Sequence, residues 1–410
     1  MWPLDRLCLR PPMERGWDWL HNNSNQRVAK QPLKWLHWAM EQVDFIVIGA
    51  GIAGASVAAQ LSAKASVALL EMEERPGYHT TGRSAAAYEP NYGPRPFLAL
   101  SRAGLAFYKN PPADFSERPI FSKRGSLVIE AKGQEEASQH FLTPGTKLSE
   151  VSVDEMVSLV PVLRRDYANR GFYDDGTGDL DVDLLHRGYL KWFKQRGGKL
   201  HCNAAAQEIK KVGAHWQVKT PQGTFQAGTV IDAAGAWGDK VAELAGVAPI
   251  GLQPKRRSIG VIPITGHDGL MDWPFMVDCE ESWYAKPQSG KLIVSSADQT
   301  PVEPHDAYAD DEAIAVGVDR LMRATTLEVT RLDHSWGGLR SFVPDKFPVC
   351  GYDRAAEGFF WLIGQGGNGI QSSWGLSRLA AALAMREAVP EDLLAQGLQL
   401  EDVLPERFGR

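Results

Sequence analysis

Residues 44–74 read DFIVIGAGIAGASVAAQLSAKASVALLEMEE, and this stretch decides the fold. Residues 45–48 form a short apolar run that is typical of a buried parallel strand. Three glycines follow in a GxGxxG spacing, after which the pattern predicts a helix over residues 53–62. A second strand is predicted over residues 66–70, and it ends at Glu71. Strand, glycines, helix, strand and acid in this order predict a dinucleotide-binding βαβ unit.

Each part of this motif has a physical role in holding a dinucleotide. Gly49 permits the tight turn, Gly51 lets the backbone approach a pyrophosphate, and Gly54 lets the helix pack closely on the strand. The first N–H groups of the helix, including that of Ala53, face the phosphates. Glu71 follows Gly49 by 22 residues, the spacing at which an acid accepts hydrogen bonds from ribose hydroxyls. The motif alone fits NAD and FAD equally.

Composition and charge narrow the class of protein. The chain has 410 residues, 44% hydrophobic and 23% charged, as is ordinary for a globular protein of two or three domain-sized units. A net charge of −6 gives no general attraction to nucleic acid, and no apolar run is long enough for a transmembrane helix. The four cysteines form no CxxC pair, so we predict no metal centre and a cytoplasmic protein with reduced thiols. Peripheral attachment to the inner membrane is the alternative location.

The first 40 residues differ from the rest of the chain. They are rich in tryptophan, with proline and basic residues between, and they lack the continuous apolar segment of a signal peptide. A short membrane-surface helix around residues 35–40 is conceivable. We expect residues 1–40 to be a mobile extension outside the fold.

Two further glycine turns favour FAD over NAD. VIDAAGAWGDKVAEL, residues 230–244, and FFWLIGQGGNGIQ, residues 359–371, each predict a strand, a glycine turn and a helix. Between the first motif and these two, residues 200–231 predict short strands with a hairpin turn at residues 221–223, not the regular alternation of an NAD dehydrogenase. Three glycine turns spread over the chain fit one discontinuous domain around an extended cofactor.

Residues 77–93, GYHTTGRSAAAYEPNYG, show neither a strand nor a helix pattern. Small side chains dominate the segment, and a few large polar ones are set among them. We interpret its first half as backbone close to the cofactor and its second half as a wall of the substrate pocket. His79 lies in the first half, where a hydrogen bond to the backbone is as good an interpretation as a chemical role.

Together these segments resemble the D-amino-acid oxidase/glycine oxidase (DAO) superfamily of FAD-dependent oxidoreductases, and most of all its bacterial D-arginine dehydrogenase branch. The resemblance rests on GAGIAG with Glu71, TTGRSAA, VIDAAGAWG, GLRSFVPD and GFFWLIGQGGNGIQ. GLQPKRRS, HSWGGLRSF and the spacing of DWP to SWYAKP make it specific. It covers almost everything from residue 43 to residue 382.

The resemblance implies an α/β fold in two parts. One is a Rossmann-like FAD-binding domain of the GR2 type, assembled from residues 41–104, 183–254 and 333–410. The other is an α+β substrate domain built on an antiparallel sheet, from residues 105–182 and 255–332.

The resemblance also implies which residues contact FAD. The cofactor would be held without a covalent bond, because Gly338 stands where covalently linked relatives carry cysteine. The implied contacts, beside the first motif, come from three later segments. The full set is Gly49, Gly51, Ala53, Gly54, Glu71, Met72, Thr81, Gly82, Arg83, Ser84, Ala85, Ala86, Gly235, Gly366, Gly367, Asn368, Gly369, Ile370 and Gln371.

Oxidation of an amino acid by hydride transfer requires that its carboxylate be held and its Cα–H be aimed at the flavin N5. An arginine fork binds a carboxylate through two hydrogen bonds, and the resemblance assigns this role to Arg340 and Arg257. It also places two tyrosines, Tyr284 and Tyr92, against the substrate. The remaining pocket residues that it implies are Ala87, Glu89, Phe275, Val277 and Gly338.

Two departures bear on the substrate. Relatives that favour D-arginine carry histidine where this chain has Ala87, and a glutamate against the guanidinium where it has Ser126. Glu89 is a new acid nearby. If it faces the pocket, we expect cationic side chains to bind; if it faces solvent, we expect neutral D-amino acids, with Phe275 and Trp283 as aromatic wall.

The leading functional hypothesis is therefore FAD-dependent oxidative deamination of D-amino acids, basic ones among them, to 2-oxo acids and ammonia. Oxidation of glycine or of N-methyl or cyclic secondary amino acids is the alternative. A flavin-binding protein without turnover is a third hypothesis. The electron acceptor is a quinone, another carrier or oxygen.

Overall fold

The computed structural model describes residues 40–142 and 147–410. The extension predicted for residues 1–40 lies outside the described residues apart from Met40. Within the described ranges, no helix is long and apolar enough to cross a membrane.

The strands and helices are numbered in chain order. The strands are β1 (Glu41–Gln42), β2 (Phe45–Ile48), β3 (Val67–Leu70), β4 (Ala87–Tyr88), β5 (Phe121–Lys123), β6 (Ser126–Ala131), β7 (Ser149–Val151), β8 (Ala168–Asp174), β9 (Gly178–Leu180), β10 (Lys199–His201), β11 (Glu208–Val212), β12 (His215–Thr220), β13 (Gly223–Ala227), β14 (Thr229–Asp232), β15 (Gln253–Pro263), β16 (Phe275–Asp278), β17 (Tyr284–Gln288), β18 (Lys291–Ser295), β19 (Thr300–Pro301), β20 (His334–Phe342), β21 (Val349–Tyr352) and β22 (Phe359–Ile363). The helices are α1 (Ile52–Leu61), α2 (Arg95–Lys109), α3 (Val153–Leu159), α4 (Val182–Gln195), α5 (Gly238–Leu244), α6 (Asp311–Ala324), α7 (Gly369–Ala384) and α8 (Glu391–Ala395).

A six-stranded sheet carries the motif of residues 44–74. Its strand order is β10-β3-β2-β14-β22-β21, and only β21 runs antiparallel to its neighbour. The predicted helix over residues 53–62 is α1, and the predicted strand over residues 66–70 is β3. The hairpin expected at residues 221–223 joins β12 and β13, which belong to a separate four-stranded sheet.

Both faces of the six-stranded sheet are buried, which explains its nearly continuous apolar strands. Side chains alternate between the faces, so Val47 and Leu69 pack under α1, α2, α4 and α7. Ile46 and Leu70 pack on the opposite face, under the four-stranded sheet and α5. Each fully buried aliphatic side chain contributes roughly 1.5–3 kcal/mol, so the two cores fix the position of this sheet.

A nine-stranded mixed sheet forms the second large layer. Its order is β19-β15-β18-β17-β16-β6-β8-β7, and β20 pairs with β15 as well. The β15–β20 pair is long and antiparallel, and its register sets Arg257 opposite Gly338 and Lys255 opposite Arg340. Helices α3 and α6 pack on the core of this sheet. A small three-stranded sheet, β4-β9-β5, places Ala87 opposite Asp179.

The α/β fold class is thereby confirmed. Every strand of the six-stranded sheet comes from the segments predicted for the first domain. Most strands of the nine-stranded sheet come from the other segments, although β20 lies within residues 333–410. The domain boundaries themselves stay a prediction.

Asp232 ends β14 inside the protein and is not exposed to solvent. Its Oδ1 accepts the Ala234 N–H at 3.1 Å, while its Oδ2 has no partner among the described residues. Burial raises the pKa of this carboxyl group well above its usual range, so the folded protein holds it protonated.

We expect Asp232→Asn to stabilise the protein at pH 8 by about 1–3 kcal/mol. The unfolded chain releases this proton above its ordinary pKa while the folded chain keeps it, so wild-type stability falls as pH rises. The amide cannot ionise and avoids that loss. Urea unfolding at pH 5 and pH 8 measures the effect, which should shrink at pH 5. A variant less stable than the wild type at pH 8 would contradict the protonated state.

Candidate active site

The three glycine turns meet in one cavity. They follow β2, β14 and β22, which lie side by side and parallel, so their carboxyl ends share one edge of the sheet. Gly51, Gly235 and Gly367, one from each turn, line the cavity at this edge. Segments far apart in the sequence thus form a continuous backbone wall.

Two of the glycines are required by close contacts. A Cβ at Gly49 would lie 2.6 Å from the Ala233 carbonyl oxygen, and the residue has φ of +97°. A Cβ at Gly54 would lie 1.8 Å from the Gly49 carbonyl oxygen, because α1 packs directly on the turn. No side chain fits at either position, so both glycines keep the turn narrow beside the cavity.

Glu71 is buried at the end of β3 and lines the same cavity. Its two carboxylate oxygens accept the N–H groups of Ala50 at 2.9 Å and Glu73 at 3.0 Å. Burial raises the pKa of Glu71, against these hydrogen bonds. The acid is therefore held next to the first glycine turn, in the position that the motif requires for a ribose partner.

Residues 80–83 form a short 3-10 helix along the cavity. Thr81 Oγ1 accepts the Ile52 N–H at 2.9 Å, which joins this segment to the start of α1. The Arg83 guanidinium donates to the Ala307 carbonyl at 2.7 Å and forms an ion pair with Asp306. Arg83 therefore ties the segment to the loop before α6, and a contact from its charge to the cofactor stays a prediction.

Most of the residues predicted to contact the cofactor line the cavity. They are Gly49, Gly51, Ala53, Glu71, Met72, Thr81, Arg83, Ser84, Ala85, Gly235, Gly366, Gly367, Gly369 and Ile370. Gly54, Gly82, Ala86, Asn368 and Gln371 do not. The sequence interpretation missed Ala204, Ala205, Ala206, Trp237, Lys240, Leu339 and Gln365, which also line it. The run of three alanines was the available signal, since small side chains leave space along a cavity wall.

Arg257, Tyr284 and Arg340 converge at one end of the cavity. Arg257 is 6% exposed, its Nε donates to the Asp298 carbonyl at 2.8 Å, and its guanidinium lies 5.7 Å from the centre of the Tyr284 ring. The Tyr284 hydroxyl is buried and has no partner among the described residues. Gly338 lines the cavity as well.

Arg340 packs against Gly367. A Cβ at Gly367 would lie 2.8 Å from Arg340 Nε, and Gly367 has φ of +100°. Burial and the charge of Arg257 lower the pKa of Arg340, and no carboxylate of the described residues forms an ion pair with it. This end of the cavity therefore holds two guanidinium groups and a hydroxyl that lack an anionic partner.

The other predicted pocket residues lie beyond the cavity wall. Phe275 packs on Tyr284 with ring centres 5.5 Å apart, and Val277 is paired with Tyr284 across β16 and β17. Tyr92 is 44% exposed and donates to Glu281 Oε2 at 2.8 Å. Ala87 lies in β4. None of these side chains, nor that of Glu89, lines the cavity.

Glu89 lies between the two alternatives raised by the sequence, since it is partly buried but does not line the cavity. Its side chain is half-buried, and burial raises its pKa to about 7, while Arg340 acts in the opposite direction. Its N–H donates to Gln371 Oε1 at 2.7 Å. A half-buried carboxyl group that forms no ion pair among the described residues therefore lies outside the cavity lining, on the segment that the third glycine turn holds.

Comparison with known proteins identifies the family to which this chain belongs. The family model described as FAD dependent oxidoreductase (DAO) matches residues 44–383. Human mitochondrial dimethylglycine dehydrogenase is 21% identical over 400 residues, covering 90% of this chain and 45% of that protein. Glycine oxidase of Geobacillus kaustophilus is 23% identical over 376 residues, covering 85% of this chain and 95% of that protein. This chain thus spans less than half of the human relative and nearly all of the bacterial one.

Solved structures share the fold. The L-proline dehydrogenase of P. horikoshii superposes with a TM-score of 0.77 at 18% identity, covering 90% of this chain and 99% of that one. The G. kaustophilus glycine oxidase gives a TM-score of 0.74 at 19% identity, covering 85% and 96%. At these identities the likeness establishes the architecture alone.

We expect Gly367→Ala to weaken binding of a small carboxylate such as acetate about tenfold, or ~1.4 kcal/mol, because the new methyl group displaces Arg340. Gly213→Ala is the matched control, since Gly213 has φ of +61° with nothing within 4 Å of its Cβ position. Both variants carry the cost of positive φ, and only the first touches an arginine. Titration calorimetry measures the affinities, and an unchanged affinity in Gly367→Ala would contradict the contact.

Proposed function

The chain belongs to the DAO family of FAD-dependent oxidoreductases, and from this premise we propose that it oxidatively deaminates D-amino acids, basic ones included, to 2-oxo acids and ammonia. The observation that carries the proposal is the group of donors without an anionic partner formed by Arg257, Tyr284 and Arg340. Two guanidinium groups and a buried hydroxyl are the donors that a carboxylate requires. An amino acid brings that carboxylate next to the carbon that is oxidised.

FAD is the cofactor, and the residues present fit it. The small-residue walls at Gly49 and Gly367 leave room for an extended group, and Glu71 stands at the ribose position of the motif. FAD when bound supplies the acceptor for a hydride from Cα. Gly338 offers no side chain for a covalent link.

The protein's own task is to position the substrate. Arg340 would hold the carboxylate with two hydrogen bonds from its guanidinium group, and Arg257 would add a further charge-assisted hydrogen bond. The Asp298 carbonyl fixes the Nε side of Arg257, which leaves its terminal N–H groups for the substrate. With the carboxylate held at two points, Cα has little freedom, and this restriction accounts for a large part of such catalysis.

Acidic groups near Glu89 support the inclusion of basic substrates. Glu281 and Asp174 both raise the pKa of Glu89, which makes the surroundings of that carboxyl group negative. They would favour a substrate with a cationic side chain, as in the D-arginine dehydrogenase branch that the sequence resembles. Ala87 and Ser126 stand where that branch carries a histidine and a glutamate, so the preferred length of the substrate side chain can differ from that of D-arginine.

Oxidation of glycine or of secondary amino acids is the second candidate. The matched relatives include a dimethylglycine dehydrogenase and a glycine oxidase, and the fold matches an L-proline dehydrogenase. The carboxylate donors of this chain would serve such substrates equally. We propose that the electron acceptor is a quinone, another carrier or oxygen. We also propose a cytoplasmic location.

We expect anaerobic mixing with one or more D-amino acids to bleach the flavin, and the L enantiomers to react at least tenfold more slowly. Sarcosine, glycine, proline and pipecolate in the same stopped-flow panel test the second candidate. Bleaching by these alone would replace the leading proposal. Reoxidation in air, followed in parallel, distinguishes oxygen from other acceptors.

We expect Arg340→Ala to lower the second-order rate of flavin reduction about 100-fold, because the substrate carboxylate loses a charge-assisted, two-point contact. Arg256→Ala is the control. Arg256 neighbours Arg257 on β15, but it pairs with Asp310 and does not line the cavity. Both variants should retain their FAD, as judged by absorbance. An equal rate in Arg340→Ala and wild type would remove this mechanism.

A further inference from the structure

We propose that Glu89 holds the α-ammonium group of the substrate and accepts its proton, which makes it the general base. The inference rests on the proposed function, since it needs an amino acid whose carboxylate lies at Arg340 and whose nitrogen extends past the cavity lining to Glu89. It differs from the alternative raised by the sequence, in which Glu89 pairs with a cationic side chain.

The backbone fixes Glu89 to the turn that packs on Arg340. The Glu89 N–H donates to Gln371 Oε1 at 2.7 Å, and Gln371 Nε2 donates to Asn368 Oδ1 at 3.0 Å. Asn368 follows Gly367 directly, and Gly367 has the Arg340 side chain packed against its α-carbon. One short structural unit therefore sets the positions of both the acid and the arginine.

The Glu89 carboxylate has no hydrogen bond or ion pair within residues 40–142 and 147–410. Two neighbouring groups that could satisfy it are already engaged, and the proposed function assigns the third, Arg340, to the substrate carboxylate. Lys286 Nζ donates to Asp179 at 2.7 Å, and the Tyr92 hydroxyl donates to Glu281 at 2.8 Å. A half-buried carboxylate in this state is costly, and a bound cation would lower the cost.

Charged groups from four parts of the chain act on the pKa of Glu89. Arg340 on β20 and Lys286 on β17 favour its ionised form. Glu281, in the turn between β16 and β17, and Asp174, at the end of β8, disfavour it. Burial is the largest effect, and it raises the pKa of Glu89 to about 7. Near neutral pH the group can therefore both accept and release a proton.

A group beside Arg340 is closer to the α-ammonium of the substrate than to a cation on the substrate side chain. The nitrogen is attached to the carbon that also carries the carboxylate held by Arg340, whereas a side-chain cation lies several bonds away. In the step, an N–H bond of the ammonium breaks, an O–H bond forms on Glu89, and the electron pair stays on nitrogen. The neutral amine can then release the Cα–H as hydride.

Stopped-flow reduction of Glu89→Gln tests this role with one neutral and one cationic amino acid, each the fastest of its class in the panel. We expect a loss of about 100-fold with both. In the wild type the rate should fall as pH drops below about 7, because protonated Glu89 cannot take a proton. In Glu89→Gln this limb should move to higher pH, toward the pKa of the substrate ammonium itself.

Glu281→Gln is the matched control, with the neutral amino acid as substrate. Glu281 raises the pKa of Glu89, so its neutralisation should move the limb to lower pH and keep its shape. A second readout needs no turnover. 2-Methylalanine has no Cα–H and cannot be oxidised, and its affinity, followed by flavin absorbance, should fall below pH 7 in the wild type but not in Glu89→Gln.

Three outcomes would overturn the inference. A loss confined to the cationic amino acid would assign Glu89 to side-chain recognition. An unchanged low-pH limb in Glu89→Gln would exclude it as the base, and in both cases the proposed function would stand. A wild-type flavin that no amino acid reduces would overturn the inference and the proposed function together.

Discussion

The parallel alignment of β2, β14 and β22 is the constraint on which the rest of the structure depends. These strands begin at residues 45, 229 and 359, yet they lie side by side and end at one edge of the sheet. Since each ends in a glycine turn, their alignment brings three glycine turns to one place. The cavity follows from this edge, and Arg340 of β20 packs against the third of these turns.

Gly367 shows how closely the cofactor and substrate sites are connected. It belongs to the third glycine turn, and its missing side chain makes space for Arg340. The same turn leads into Asn368 and Gln371, which hold the backbone of Glu89. A turn that the sequence motif explains by the cofactor therefore also positions the two charged groups assigned to the substrate.

Local periodicity was sufficient to predict the βαβ unit. The apolar run of residues 45–48 is β2, and the predicted helix differs from α1 by one residue at each end. These elements could be predicted because periodicity depends only on residues that are close together in the sequence. The surroundings of Glu89 and Arg83 were not predictable in this way. Arg83 meets Asp306, 223 residues later, and Glu89 meets Gln371, 282 residues later. The donor set of Arg257, Tyr284 and Arg340 came from the family resemblance rather than from periodicity.

The dispersed origin of the three glycine turns has a consequence for biosynthesis. Pairing between residues so far apart in the chain closes late in folding, because the intervening loop must be ordered first. The nascent chain can form β2, α1 and β3 soon after they leave the ribosome, but β22 and its glycines are translated some 300 residues afterwards. Until β22 is translated, the cavity lacks the wall that the third glycine turn contributes. The edge of β14 that β22 will pair with remains open during this interval, so the cofactor cavity is assembled late and the incomplete sheet is prone to aggregation until then.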